Sequence, residues 1–232
     1  MRVAVVKNME RSPLGQVGVA LDEADADVVT FRPYRDGRLP DDHAAFDALV
    51  VLGGEQSALD DARYPALPAI AALMRRYAEA EKAVLGICLG SQILARAFGG
   101  TNRLGVAREF GWRPIAATLA GKADPVLGAV GDTFPIFQWH SDTFTLPAGA
   151  ELLASGTEVP HQAYRIGAKA YGTQFHFEAS TVVVDDWSRA FEEAAEAMQP
   201  GWRHARSALA RNLGPAADAA GLALARAWVA LV

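Results

Sequence analysis

The chain has 232 residues, 51% of them hydrophobic, a formal net charge of −5 and one cysteine. That length allows one large domain or two small ones around a substantial core. The acidic balance without a Lys/Arg cluster argues against nucleic acid, the lone thiol excludes an internal disulfide and suits a reducing cytosol, and no stretch approaches the roughly 18 apolar residues of a membrane span.

Arg2–Val6 is apolar, too short for a signal peptide, and reads as a buried first strand. Gln16–Ala26 has helical spacing, Val28–Arg32 is a second strand ended by Pro33, and Phe46–Leu52 is a third strand entering Gly53-Gly54. Tyr64–Ala80 reads as a helix with Pro65 and Pro68 confined to its first turn. Ala83–Ile87 is the next strand, followed by a helix through Ser91–Phe98 that stops at Gly99-Gly100. Strands alternating with helices imply a mostly parallel α/β sheet flanked by helices. From about Thr101 to Ser180 the pattern shortens to Arg113–Leu119, Thr133–Trp139, Glu151–Ser155 and Gln162–Ile166. These pieces predict antiparallel strands that either extend the first sheet or form a small second one. After Glu178 the sequence is helical: Asp185–Met198 with Trp187 and Phe191 on an apolar face, then Trp202–Leu213, then Pro215–Val232 opening on its proline. This tail either packs on the core or offers a surface to a partner or a second copy, as in a homodimer. No composition break divides the chain, so it reads as one domain, with residues 1–180 as its catalytic core and 181–232 as a helical C-terminal extension.

The pentad Gly86-Ile87-Cys88-Leu89-Gly90 joins a strand to a helix. Glycines there permit a sharp turn that would crowd a side chain, and the turn places the thiol at a helix N-terminus, where free amides and the helix dipole favour a thiolate. A lone cysteine also fits a small buried core residue. The nucleophile reading gains weight from Tyr171–Glu178, an alternating run whose His176 and Glu178, two apart on a strand, project together. One imidazole nitrogen would take the thiol proton while the other donates to the carboxylate. His140 is not preferred as the base, since Asp142, two residues on, reads as closing a polar turn rather than lying along the same strand. His43, His161 and His204 read as surface residues. Leu89 N–H, next after the nucleophile, is placed by the elbow to stabilise an oxyanion.

Gly86-x-Cys88-x-Gly90-x-Gln92, followed far downstream by Gln174-Phe175-His176-x-Glu178, resembles the class I, triad-type glutamine amidotransferases. Gly53-Gly54 followed by Ser57, Asp60-Asp61 and Tyr64-Pro65 is most similar to stand-alone relatives of the amidotransferase domain of GMP synthase. The resemblance implies a flavodoxin-like sheet with a small antiparallel extension. It also implies a Cys88–His176–Glu178 triad, a second oxyanion amide at Gly54 or Glu55, and a glutamyl pocket involving Gln92 and the segment Trp139-His140-Ser141-Asp142. Asp142 would pair with the substrate ammonium. The chain departs from relatives at Glu55, where they often carry proline, and at Phe177, where they read His-Pro-Glu. The implied chemistry is hydrolysis of the side-chain amide of glutamine, or of a γ-glutamyl bond, through a Cys88 thioester. It needs no metal or organic cofactor and suits a cytoplasmic enzyme. Ammonia would pass to a separate synthase subunit, or the protein would act alone as a γ-glutamyl peptidase. A non-catalytic regulatory subunit of the same fold is the alternative without turnover.

Overall fold

The apolar runs become the centre of a nine-stranded sheet in a computed structural model that describes residues 1–41 and 43–232. In chain order the elements are β1 (Arg2–Val6), α1 (Gly15–Glu23), β2 (Asp27–Phe31), α2 (Pro33–Asp36), β3 (Ala48–Val51), α3 (Leu67–Glu79), β4 (Ala83–Ile87) and α4 (Leu89–Ala97). There follow β5 (Asn102–Arg103), β6 (Glu109–Ala117), α5 (Leu119–Ala123), β7 (Thr133–His140), β8 (Thr143–Phe144), β9 (Glu151–Ser155), β10 (Ala163–Ile166) and β11 (Ala170–Thr173). Three helices close the chain: α6 (Thr181–Ala190), α7 (Glu192–Met198) and α8 (Trp202–Val229).

The strand order is β2-β1-β3-β4-β11-β10-β9-β6-β7. Five neighbours, from β2 to β11, pair in parallel, and the remaining four attach antiparallel. Both sequence alternatives for the middle segment are therefore realised: it extends the main sheet, and β5 with β8 forms a separate two-stranded sheet. Alternation along the parallel strands sorts their side chains onto two faces. Val3, Val5, Val50 and Leu85 pack with Leu21 of α1 and Leu224 and Trp228 of α8. Ala4, Leu49, Val51 and Val84 pack with Ile70, Leu73 and Tyr77 of α3 and Ile93 of α4. A third cluster, Phe110, Trp112, Phe137, Trp187 and Trp202, fills the space between the antiparallel strands and the C-terminal helices. Among the described residues no helix is long and apolar enough to cross a membrane.

Three expected elements differ. The run through Tyr171–Glu178 is a strand only to Thr173; the chain then leaves the sheet, and His176 touches β7 through a single bridge, its amide donating to Phe137 O at 2.9 Å. The helix expected over Asp185–Met198 starts at Thr181 and breaks at Phe191, whose φ of −123° and ψ of 43° are not helical. The two helices expected around Pro215 are one, α8, with the proline inside. An interior proline costs about 3 kcal/mol, and α8 carries it because Trp202, Ala217, Leu224 and Trp228 on either side of Pro215 are buried.

Candidate active site

Cys88 sits between β4 and α4 with φ 51° and ψ −108°, a left-handed conformation that costs a non-glycine residue on the order of 1–3 kcal/mol. The packing of the elbow enforces it. A Cβ on Gly90 would lie 2.0 Å from Val51 O, and one on Gly86 would lie 2.5 Å from Gly90 O. The two flanking glycines thus serve close backbone approach, while the cysteine itself bears the positive φ. The Cys88 amide donates to Thr173 O at 2.7 Å, and its carbonyl accepts from Ser91 N and Gln92 N to start α4. Leu89 N–H, at the first position of α4, has no intrahelical acceptor.

His176 and Glu178 meet although no strand carries them. Nδ1 of His176 lies 2.7 Å from Glu178 Oε1, both side chains being buried. Glu178 is fixed by α1, whose Gln16 amide donates to its carbonyl at 2.9 Å. Phe177, between them, turns away into the core beside Phe175. Gly53 lies beside both Cys88 and His176: a Cβ there would lie 3.2 Å from His176 Cε1 and 3.6 Å from Cys88 Cβ. Burial pulls the His176 proton affinity down. The negative charges of Glu178 and Cys88 and the hydrogen bonds to both outweigh it and hold the imidazole well above its ordinary value.

Cys88 and His176 open onto a cavity of about 420 Å3, while Glu178 lies buried behind His176. Gly54, Glu55, Leu89, Gln92, His140, Ser141 and Asp142, all singled out by the sequence, line it. Gly54 lies against the elbow, since a Cβ there would fall 3.0 Å from Leu89 Cδ2. Gln92 Nε2 donates to Asp142 O at 3.3 Å and to Gln174 Oε1 at 3.2 Å. One Asp142 carboxylate oxygen accepts from Gly105 N at 2.8 Å. Both His140 ring nitrogens are engaged, Nδ1 with Asp142 O at 3.0 Å and Nε2 with Glu109 Oε2 at 3.1 Å. His140 therefore orients the Asp142 peptide. Ser141 is exposed at the rim, its hydroxyl 3.7 Å from Met198 Sδ. His204 is exposed as expected, whereas His43 and His161 are half-buried, His161 through Nδ1 bonded to Phe144 O at 2.8 Å.

Gln174 stands in the family motif without a role of its own, Trp187 and Phe191 are expected from the sequence only on an apolar helix face, and Glu109 is not singled out by the sequence at all. Gln174, fully buried, points Nε2 at Cys88 Sγ from 3.7 Å. It shares the alternation of His176, a signal that could have found it. Glu109 is buried between His140 and Gln162 Nε2, the latter at 2.6 Å, and nothing in its neighbourhood marks it. Trp139, Trp187, Phe191 and Met198 form an apolar side of the cavity. Among the described residues no group of His, Cys, Asp and Glu has the arrangement of a metal site.

Residues 16–186 match the family model for glutamine amidotransferase class-I. The glutamine amidotransferase-like protein YfeJ of Salmonella typhimurium is 33% identical over 66% of this chain and 66% of its own length. The glutamine-hydrolyzing GMP synthase of Porphyromonas gingivalis is 30% identical over 63% of this chain but only 27% of its own length. The chain thus spans about two thirds of the first relative and about a quarter of the second. A glutamine amidotransferase crystal structure from Methylobacillus flagellatus superposes with a TM-score of 0.88 at 25% identity, covering 100% of this chain and 95% of that one. One from Thermotoga maritima superposes at 0.85, also at 25% identity, over 98% of both chains. The chain belongs to the class I glutamine amidotransferase family.

Proposed function

We propose that the protein hydrolyses the side-chain amide of glutamine through a thioester on Cys88. The observation that carries this reading is the His176–Glu178 contact of 2.7 Å beside a thiol held on a strained elbow. In this mechanism the Cys88 thiolate attacks the amide carbon, and negative charge develops on the carbonyl oxygen. The amides of Leu89 and of Gly54 or Glu55 receive that charge, a contribution of about 3 kcal/mol per donor. The imidazolium of His176 gives its proton to the departing nitrogen as the C–N bond breaks. Water then attacks the thioester, returns a proton to His176 and releases glutamate and the thiolate.

Glu178 fixes the tautomer and orientation of His176. Gln92, Ser141 and the Asp142 peptide, held by His140, receive the amino-acid end, with the free Asp142 oxygen toward the ammonium. No step calls for a metal or organic cofactor. Ammonia is released or passed to a separate synthase subunit, an arrangement suggested by the GMP synthase relatives, of which this chain matches only the smaller part.

The test combines an assay with a label. Glutamine should yield glutamate and ammonia in equal amounts. A diazo-ketone analogue of glutamine should add one covalent group per chain, on Cys88, and Cys88→Ser should abolish both. Labelling elsewhere, or full turnover by the serine variant, sinks the assignment.

A further inference from the structure

We infer that the leaving-group side of this cavity is built for an apolar, aromatic amine, so that the preferred substrate is the γ-glutamyl amide of such an amine rather than glutamine itself. This rests on the Cys88 thioester reading above and names its substrate class.

The group that protonates the departing nitrogen is His176, so whatever that nitrogen carries must lie beside His176. The imidazole packs edge-on against Trp187, with ring centroids 5.2 Å apart at 79°. Trp187 meets Trp139 at 6.4 Å, and Trp139 meets Phe191 at 6.2 Å and 90°. A wall of aromatic rings therefore continues outward from the base. Trp139 and Phe191 are only half-buried, and Met198 extends the apolar side. Phe191 reaches it from the break between α6 and α7, where the backbone gives up its helical conformation.

Size and charge point the same way. Glutamine has about ten heavy atoms, each smaller than the roughly 30 Å3 share of a water molecule. They leave much of the 420 Å3 cavity unfilled. Ammonia as leaving group would put nothing against the rings, whereas ligand sites typically match an apolar lining with apolar ligand surface. Arg11, the one Lys or Arg among the described residues lining the cavity, faces Asp186 at 3.4 Å, which offsets the positive charge available to an anionic leaving group on this side.

The step balances as hydrolysis. The C–N bond of the γ-amide breaks, the His176 proton goes to the amine nitrogen, and water supplies the hydroxyl of glutamate and restores the proton. The products are glutamate and the free amine.

The experiment compares γ-glutamyl phenethylamide, γ-glutamyl ethylamide and glutamine with the wild-type protein. Both amides release primary alkylamines, so the ring is the variable. Burying a phenyl group should raise kcat/KM for the phenethylamide at least about tenfold over the ethylamide. Phe191→Ala should shrink that ratio toward one. Equal rates for the two amides, a preference for the ethylamide or glutamine, or a ratio untouched by Phe191→Ala overturns the inference. Turnover of glutamine alone overturns it while leaving the thioester reading intact. No turnover of any of the three, together with an unlabelled Cys88, fells the thioester reading and this inference with it.

Discussion

Glu178 and Asp124 both have side chains 1% exposed, yet the protein treats the two carboxylates differently. Asp124 is saturated. Its Oδ1 accepts from Val126 N at 2.8 Å and Leu127 N at 3.0 Å, and its Oδ2 takes Tyr171 OH at 3.1 Å and Arg165 Nη1 at 3.0 Å. The guanidinium compensates its charge at every ordinary pH. The same surroundings, burial first and the Asp124 charge second, push the Tyr171 hydroxyl up to about 12. Glu178 has His176 on Oε1, while Oε2 has no hydrogen-bond partner among the described residues. Its charge is compensated only when His176 is protonated. A permanently satisfied carboxylate holds strands together; one satisfied only through a titrating neighbour sets that neighbour's proton affinity.

The strongest way to break the comparison is at His176 and Glu178, the pair proposed to be catalytic. His176→Ala should lower kcat for glutamine by about 10⁴-fold, because the imidazole moves protons in both half-reactions. Glu178→Gln should cost less, about 10²-fold, and should shift the pH profile. Glu178 raises the His176 value, so in the wild type the alkaline limb lies well above the ordinary histidine value of about 6.5. In Glu178→Gln that limb should move to lower pH. The stability linkage has the same sign. A raised folded value stabilises fully below about 6.5 and is lost as pH rises through the folded value. Melting temperatures of wild type and His176→Ala should therefore converge as pH rises. An alkaline limb unmoved in Glu178→Gln would remove Glu178 from the pair.

Legibility of this site in the sequence followed the range of the interactions. The elbow was readable because a strand, a turn and a helix are local, and Gly86, Cys88 and Gly90 mark it within five residues. His176 and Glu178 were found for a partly mistaken reason. Spacing suggested a shared strand face, but β11 ends at Thr173 and the pair is aligned by Phe137 O and the start of α1. Those partners lie far away in sequence and leave no periodic signature. The parallel sheet was legible through buried strands flanked by helices. The break at Phe191 and the unbroken α8 were not, since both depend on tertiary packing that overrides local propensity. Glu109 was invisible, because its partners His140 and Gln162 are brought to it only by the antiparallel strands.

A smaller effect, of a different kind, is expected at the structural carboxylate. Asp124→Ala leaves two amides and the Tyr171 hydroxyl without their acceptor and removes one of the two carboxylates on the Arg165 guanidinium, which keeps Glu151 at 2.6 Å. Arg165 is 24% exposed and can rehydrate, so the loss should be about 2–3 kcal/mol rather than the larger penalty of a fully buried pair. That corresponds to a melting temperature lower by about 4–12 °C. Assayed well below melting, kcat/KM should stay within about twofold of wild type. A large catalytic loss with intact stability would mean that Asp124 is coupled to the site after all.

Glu109 sharpens the comparison because it lies between the two cases: a buried carboxylate bonded to a histidine, but away from the thiol. Both His140 nitrogens face acceptors, Asp142 O and Glu109 Oε2, so each bears a hydrogen or the proton rests on Glu109. Glu109→Gln needs a small turn of the side chain, because Oε2 serves both His140 and Gln162: the amide oxygen then accepts from Gln162 Nε2, the amide nitrogen donates to His140 Nε2, and Nδ1–H stays on Asp142 O. Glu109→Leu offers nothing to Nε2 or to Gln162, and the ring is free to turn. The Asp142 carbonyl would then retain only Gln92, at 3.3 Å. Since that segment is proposed to receive the amino-acid end of the substrate, Glu109→Leu should raise KM for glutamine about three- to tenfold with kcat within about twofold. Glu109→Gln should stay close to wild type in both. Steady-state kinetics on the two variants, with melting curves alongside, separate the outcomes. Equal losses in kcat and KM for Glu109→Leu, unrescued by Glu109→Gln, would place Glu109 with the triad rather than with the residues that orient substrate.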